Sequence, residues 1–135
     1  MSEADLEYSK RLALIAASAA FDKVGKDIIV QDVSKVMVIT DYFVIATGAN
    51  NRQVDAIADA IEEALREQAD VKPIGREGRE ELTWVLLDYG DIVVHVFQPQ
   101  IREFYRLETI WNDAKFLNLE EHGIKQDSLP EWIHV

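Results

Sequence analysis

Residues 82–97 read LTWVLLDYGDIVVHVF, and this stretch is more informative about the fold than any other part of the chain. Two runs rich in β-branched and aromatic residues, Leu82–Tyr89 and Asp91–Phe97, flank Gly90. Such runs favour strands, and a glycine between them favours a tight turn. The stretch therefore predicts an antiparallel β-hairpin.

The position of the turn determines which side chains face each other across the hairpin. If residues 89–90 form a two-residue turn, Trp84 lies opposite His95 and Leu86 lies opposite Val93. Side chains alternate along a strand, so one face of the hairpin is aliphatic and the other is rich in aromatic rings. We predict that the aromatic face contains Leu82, Trp84, Leu86, Val93, His95 and Phe97.

Helices and strands alternate on both sides of this hairpin. Ser2 and Asp5 have the spacing of a capping box, and Asn50 can cap a second helix that has a clear apolar stripe. The order of elements predicts an α/β fold, with one mixed β-sheet and flanking helices. In chain order we predict helix Ala4–Val24, strands Ile28–Val33 and Tyr42–Thr47, helix Arg52–Gln68, a weak strand Lys72–Gly75, the hairpin, and a helix from Pro99 to about Tyr105.

The length of 135 residues is typical of a single domain. We expect that domain to span residues 1–116. From Leu117 the apolar periodicity is lost, and Pro130 argues against a long final helix. Residues 117–135 are therefore interpreted as a C-terminal tail that either wraps the domain or is loosely held.

Composition excludes several classes of function. The chain has 14 Lys and Arg against 25 Asp and Glu, a formal net charge of −11, whereas a generic nucleic-acid binder needs an excess of basic residues. It contains no cysteine, which removes disulfides and thiolate chemistry. No apolar run approaches the roughly 20 residues of a membrane span, and the N-terminus lacks the features of a signal peptide. We expect a cytoplasmic protein that does not bind membranes.

Signals for catalysis are weak. The chain lacks a P-loop and a nucleophile elbow, and no histidine motif typical of a metal site occurs. The loop after Gly48 could hold an anion, and Asp88 with Asp91 could hold Mg²⁺ for phosphoryl or nucleotidyl transfer. A plain strand-to-helix turn at Gly48 and turn-forming roles for the two aspartates are the more common explanations. We predict a protein that is not an enzyme and has no metal or cofactor, with a nucleotide-binding transferase as the alternative.

Large amphipathic side chains are concentrated in the second half of the chain. Trp, Tyr, Phe and Arg are favoured in the cores of protein–protein interfaces. Some of these side chains must pack between the hairpin and the last helix, and we interpret the remainder as a protein-binding surface. The residues are Trp84, Tyr89, His95, Phe97, Arg102, Phe104, Tyr105, Arg106 and Trp111.

Three motifs resemble the ribosomal silencing factor family, also called Iojap or RsfS. The first is DYFVIATG at 41–48, followed by NRQV at 51–54. The second is REG at 76–78, followed by WVLLDYGDIVVHVF at 84–97. The third is REFYRLE at 102–108, followed by WNDA at 111–114. The resemblance covers roughly residues 4–116.

The resemblance implies a fold related to nucleotidyltransferases without their catalytic residues, since Ala49 follows Gly48 where that chemistry needs serine. It implies binding to a large-subunit ribosomal protein (number fourteen) at the intersubunit face. Binding would block association of the small subunit and repress translation under nutrient limitation. It also implies a homodimer off the ribosome. Carried over to this sequence, the partner-binding residues are Trp84, Leu86, Tyr89, His95, Phe97, Arg102 and Tyr105.

A further interpretation of the aromatic face remains open at this point. The face could serve only as the seam of a homodimer. Dimerisation alone should not inhibit joining of the ribosomal subunits, so light scattering with and without large subunits separates this interpretation from silencing.

Overall fold

A computed structural model describes residues 2–111 and 113–133 of the chain. Two short 3₁₀ helices, Leu107–Thr109 and Leu119–His122, follow the regular elements. None of the described helices combines the length and apolar character that a membrane span requires. The regular elements are α1 (Glu3–Asp22), β1 (Lys26–Asp32), β2 (Tyr42–Thr47), α2 (Asn51–Ala69), β3 (Gly75–Glu77), β4 (Trp84–Asp88), β5 (Ile92–Phe97) and α3 (Pro99–Tyr105).

The strands form one five-stranded mixed sheet in the order β1-β2-β5-β4-β3. β2 and β5 are parallel, and the other neighbouring pairs are antiparallel. The predicted mixed sheet with flanking helices is confirmed. The weak strand is displaced, because Gly75–Glu77 rather than Lys72–Gly75 pairs with β4.

The predicted register of the hairpin is wrong by two residues. Trp84 pairs with Phe97, and Leu86 pairs with His95. The backbone N–H of Tyr89 donates to the carbonyl of Ile92 at 3.0 Å, so the turn is formed by residues 90–91 rather than 89–90. Gly90 has φ +79°, a conformation that glycine adopts at the first turn position at little cost. A shift of two residues leaves each side chain within β4 and β5 on its predicted face. Placement of Leu82 on the aromatic face is wrong, because Leu82 lies before β4 begins and packs against the helix-side core.

The two long helices cover one face of the sheet. The predicted capping box of Ser2 and Asp5 begins α1, and the Asn50 side chain accepts a hydrogen bond that begins α2. Alanines on the buried side of α1 let that helix lie close to the sheet. The buried stripe of α2 consists of Val54, Ile57, Ala58, Ile61 and Leu65.

The chain after α3 crosses the opposite face of the sheet, which we call the far face. There Trp111, Phe116 and Trp132 pack against a buried cluster that includes Phe43 and Ile45. Leu119 and Ile124 are buried in the helix-side core, and Ile133 is buried on the far face. Residues 117–133 therefore wrap the domain.

The same segment also covers the outer edge of β1. The N–H of Asp32 donates to the carbonyl of Lys115 at 2.7 Å, and the N–H of Leu117 donates to the carbonyl of Val30 at 2.9 Å. The Gln126 side chain accepts from the N–H of Ile28 and donates to its carbonyl, at 2.7 and 2.8 Å. These bonds satisfy backbone groups that would otherwise invite pairing with another chain.

Candidate partner-binding surface

The far face is covered over only part of its width. The chain after α3 covers the part of the far face formed by β1 and β2. On β4 and β5, Trp84, Leu86 and Val93 are only half-buried. Leu86 belongs to neither hydrophobic cluster of the protein. Tyr105 of α3 borders this region and is 52% exposed. We call the surface formed by Trp84, Leu86, Val93 and Tyr105 the open face.

Neighbouring rings and a hydrogen bond hold Trp84 in place on the open face. Its ring centroid lies 4.7 Å from that of Phe97 and 5.1 Å from that of Tyr105. The indole N–H donates to Nδ1 of His95 at 3.0 Å. His95 in turn stacks on Phe97 and meets Phe43 edge-on, with centroids 6.1 and 5.2 Å apart. A large interface-type side chain is thus presented in one fixed orientation.

His95 must be neutral to hold Trp84 in this way. Burial lowers the pKa of His95 to about 4, and the positive charge of Arg102 contributes in the same direction. At neutral pH Nδ1 can therefore accept the indole hydrogen bond while Nε2 bears the proton. Nε2 is buried and has no hydrogen-bond partner in the described part of the chain. Burial and the positive charge of Arg102 therefore both favour the neutral form of His95.

The structure separates the seven residues that the sequence assigned to partner binding. Trp84, Leu86 and Tyr105 are accessible on or beside the open face. His95, Phe97 and Arg102 lie beneath it and are buried.

Tyr89, which the sequence grouped with the partner-binding residues, does not lie on the same face of the sheet as Trp84. Tyr89 follows the same alternation as Val85 and Leu87, so it points to the helix side and is buried in that core. Burial raises the pKa of its hydroxyl well above the usual range, and the nearby Glu62 carboxylate adds to the effect.

Arg102 anchors the chain where α3 ends. Its Nε lies 2.7 Å from Oε1 of Glu108, and its Nη1 donates to the Thr47 hydroxyl at 2.8 Å. The side chains of Arg102 and Glu108 are 2% and 0% exposed. Gln31 also donates to the carbonyl of Glu108 at 3.1 Å. The Arg102–Glu108 ion pair holds the change of chain direction at Arg106, whose φ is +43°, against the sheet.

One exposed apolar pair was absent from the predicted surface. Val38 and Ile39 lie in the loop between β1 and β2, outside any regular element. In the sequence they precede Thr40 and read as the start of the following β-branched run. The signal that could have identified them is their position just before the predicted strand Tyr42–Thr47.

A family model described as "Ribosomal silencing factor during starvation" matches residues 6–132. This chain belongs to the ribosomal silencing factor family. The match extends beyond the residues 4–116 on which the sequence motifs lie, and so it includes most of the segment that wraps the domain.

Individual silencing factors are similar over most of the chain. A protein of Chromobacterium violaceum named ribosomal silencing factor RsfS is 42% identical over 106 residues, which are 78% of this chain and 86% of the relative. The Bacillus subtilis protein of the same name is 41% identical over 112 residues, 82% of this chain and 93% of the relative. A crystal structure of a Chromobacterium violaceum protein superposes with a TM-score of 0.73 at 40% identity, covering 78% of this chain and 88% of the other.

In this silencing factor, the loop that could have held an anion is occupied by its own side chains. The N–H of Ala49 donates to Oε1 of Gln53 at 2.6 Å, and the N–H of Gln53 donates to Oδ1 of Asn50 at 2.9 Å. A Cβ at Gly48 would lie 2.9 Å from the backbone nitrogen of Val54. Close approach of strand and helix therefore explains the glycine.

The aspartates of the hairpin have turn-forming roles in the same fold. Oδ1 of Asp88 accepts from the N–H of Gly90 at 2.8 Å, and the carbonyl of Asp91 accepts from the N–H of Asp41 at 2.9 Å. Over residues 2–111 and 113–133, no three His, Asp or Glu side chains are arranged to hold a metal ion. Of the three histidines, His134 lies outside the described residues.

Proposed function

We propose that this cytoplasmic protein represses translation under nutrient limitation by binding a large-subunit ribosomal protein (number fourteen) through its open face. Bound at the intersubunit face, the protein would exclude the small subunit by occupying its place, with no bond made or broken. The observation that carries the proposal is an accessible half-sheet centred on Trp84 in a member of the ribosomal silencing factor family.

The residues of the proposed site divide into contact and positioning groups. Trp84, Leu86 and Tyr105 would contact the partner, because they combine apolar surface with accessibility. His95 and Phe97 would orient Trp84 from below. Arg102 would hold α3, and so Tyr105, in position, while Tyr89 would support β4 from the helix side.

The size of the protein is sufficient for a steric mechanism. Its accessible surface is 7791 Å². A stable interface buries roughly 800 Å² on each partner, about a tenth of that surface. A 15.4 kDa body seated at the intersubunit face would then keep most of its surface in the space that the small subunit must enter.

Replacing Trp84 by alanine is expected to weaken binding to purified large subunits by about 2 kcal/mol or more, roughly 30-fold in Kd, because a central aromatic anchor is lost. Co-sedimentation with large subunits measures the affinity, and sedimentation of both subunits measures the loss of joined ribosomes. Tyr8→Ala, which removes an exposed aromatic ring from α1, is the matched control. Unchanged binding by Trp84→Ala would show that the open face is not the site.

Added salt is expected to slow association. With a net charge of −11, the protein would be steered toward a basic protein and repelled by the surrounding RNA phosphates. Between about 0.05 and 0.5 M salt the association rate should fall about tenfold, with little change in the dissociation rate. Stopped-flow measurement with large subunits tests this. A steep loss of affinity typical of counterion release would indicate binding to RNA instead.

Homodimerisation off the ribosome is part of the same proposal. The open face offers one apolar surface, so two copies that meet through it could not bind the partner at the same time. Light scattering across a concentration series gives the oligomeric state. The Trp84→Ala variant is expected to be less dimeric than the wild type if the dimer uses this face.

A further inference from the structure

The loop between β1 and β2 exposes the two most accessible large apolar side chains described in the protein. Val38 is 94% exposed and Ile39 is 81% exposed. Adjacent branched side chains in full contact with water are unfavourable for an isolated monomer, because each would gain free energy on burial. We call Val38 and Ile39 the apolar tip.

The apolar tip stands on an ordered base. The N–H of Met37 donates to the carbonyl of Val33 at 2.8 Å, and the Met37 side chain packs into the far-face cluster. On the other side of the tip, Thr40 and Asp41 are buried. Both ends of the loop are therefore fixed, and ordering the tip against a partner would cost little conformational entropy.

Carboxylates lie beside the base of the loop, which itself carries one exposed cation, Lys35. Asp41 accepts a 2.6 Å hydrogen bond from the Ser9 hydroxyl through one oxygen, while its other oxygen is buried without a partner in the described part of the chain. The N–H of Asp41 donates to the carbonyl of Asp91, so the two residues are neighbours, and Asp91 is exposed. Burial raises the pKa of Asp91, and the charges of Asp41 and Asp5 add to the effect. Mutual repulsion of these groups favours a positively charged neighbour.

The base of the apolar tip and one end of the open face share a hydrophobic cluster. Met37 at its base and Val93 of the open face belong to the same far-face cluster. Trp84 lies at the far end of β4, roughly 13 Å along the strand from Asp88 and the turn beside the loop. An interface of about 800 Å² per partner is wide enough to include both ends.

We propose that the apolar tip is a second docking element, which inserts into an apolar pocket bordered by Lys or Arg on the same large-subunit protein that the open face binds. The proposal rests on the function proposed above. The acidic surround supplies the charge complementarity. A second copy of this chain is a poorer occupant, because each copy has a net charge of −11 and presents the same carboxylates.

The double variant Val38→Ser/Ile39→Ser tests the tip directly. It should bind purified large subunits about 30-fold more weakly than the wild type, because two aliphatic side chains are no longer buried in the complex. Its melting temperature should be unchanged, since both side chains are exposed in the free protein. Val24→Asn is the matched control: Val24 is 60% exposed at the opposite end of β1, and asparagine tolerates its positive φ.

The charge variant Asp5→Asn/Asp91→Asn tests the acidic surround. It should slow association with large subunits about threefold at low salt and leave the dissociation rate nearly unchanged. An equal effect from the distant pair Glu63→Gln/Glu67→Gln on α2 would show that only the net charge matters. That result would overturn the role of the surround.

Comparison with Trp84→Ala separates this inference from the proposed function. If Trp84→Ala abolishes binding and the tip variant binds like the wild type, the tip is not a docking element and the open face remains the site. If the tip variant changes only self-association, the occupant is a second copy and the inference is wrong. If the wild type does not bind large subunits, both proposals fail.

Discussion

Replacing Arg102 by methionine is expected to lower the free energy of unfolding by about 3–5 kcal/mol. The side chain of Glu108 is fully buried and would lose the guanidinium that now lies 2.7 Å away. The Thr47 hydroxyl would also lose its hydrogen bond from Arg102. Breaking one side of a buried ion pair is costly because the remaining charge stays out of water.

Urea unfolding followed by circular dichroism measures this effect. The double variant Arg102→Met/Glu108→Gln removes both charges and should recover most of the loss. Arg66→Met is the matched control, because the Arg66–Glu67 pair is more than half exposed and such pairs contribute about 0–1 kcal/mol. A loss below about 1 kcal/mol for Arg102→Met would contradict the structural role assigned to this pair.

Arg102 stabilises the fold, although its sequence context is typical of a residue in a protein–protein interface. The aromatic residues Phe104 and Tyr105 follow it closely in sequence, and arginine is common in interface cores. If Arg102→Met weakens ribosome binding, the loss should parallel its loss of stability. Trp84→Ala should weaken binding while the protein remains folded.

Acidification is expected to destabilise the protein through His95 alone by about 3 kcal/mol between pH 6.5 and pH 4. The pKa of His95 is about 4 in the folded protein and 6.5 in its unperturbed state. Above pH 6.5 the residue is neutral in both states, so its contribution to stability does not vary. As the pH falls toward 4, the unfolded chain takes up a proton that the folded protein excludes, and the unfolded state is favoured.

The pH dependence of urea unfolding for wild type and His95→Gln isolates this contribution. Glutamine does not titrate, so the difference between the two curves should shrink as the pH falls from 6.5 to 4 and be flat above pH 7. His122→Gln is the control, since His122 is exposed. Parallel curves for wild type and His95→Gln across this range would rule out a neutral, buried His95.

Loss of the His95 hydrogen bond should also affect the open face. Protonated Nδ1 cannot accept the Trp84 indole N–H, so Trp84 would no longer be held in one orientation. The Trp84 fluorescence of the folded protein should therefore change around pH 4, the pKa of His95 in the folded state, in the wild type and not in His95→Gln. This readout separates a role in positioning Trp84 from a purely global effect on stability.

Local signals were sufficient to predict most elements. The capping box at Ser2, the Asn50 cap and the apolar stripe of α2 each act over three to eleven residues, and each is present in the structure. The bounds of α3 were predicted correctly from Pro99, which can begin a helix but not continue one. The short strand β3 was misplaced, because three residues at a sheet edge have almost no periodicity.

The family, most of the elements and the division of the hairpin into two chemically different faces could all be predicted from the sequence. These properties depend on residue type and on an alternation of two, so a register error of two residues did not disturb them. Which aromatic residues are accessible depends instead on tertiary packing. Trp84 and Phe97 are paired on the same face, yet one is half-buried and the other is fully buried. The reason is that a segment distant in sequence covers only part of that face, and such coverage leaves no signal in the local pattern of the strands it covers.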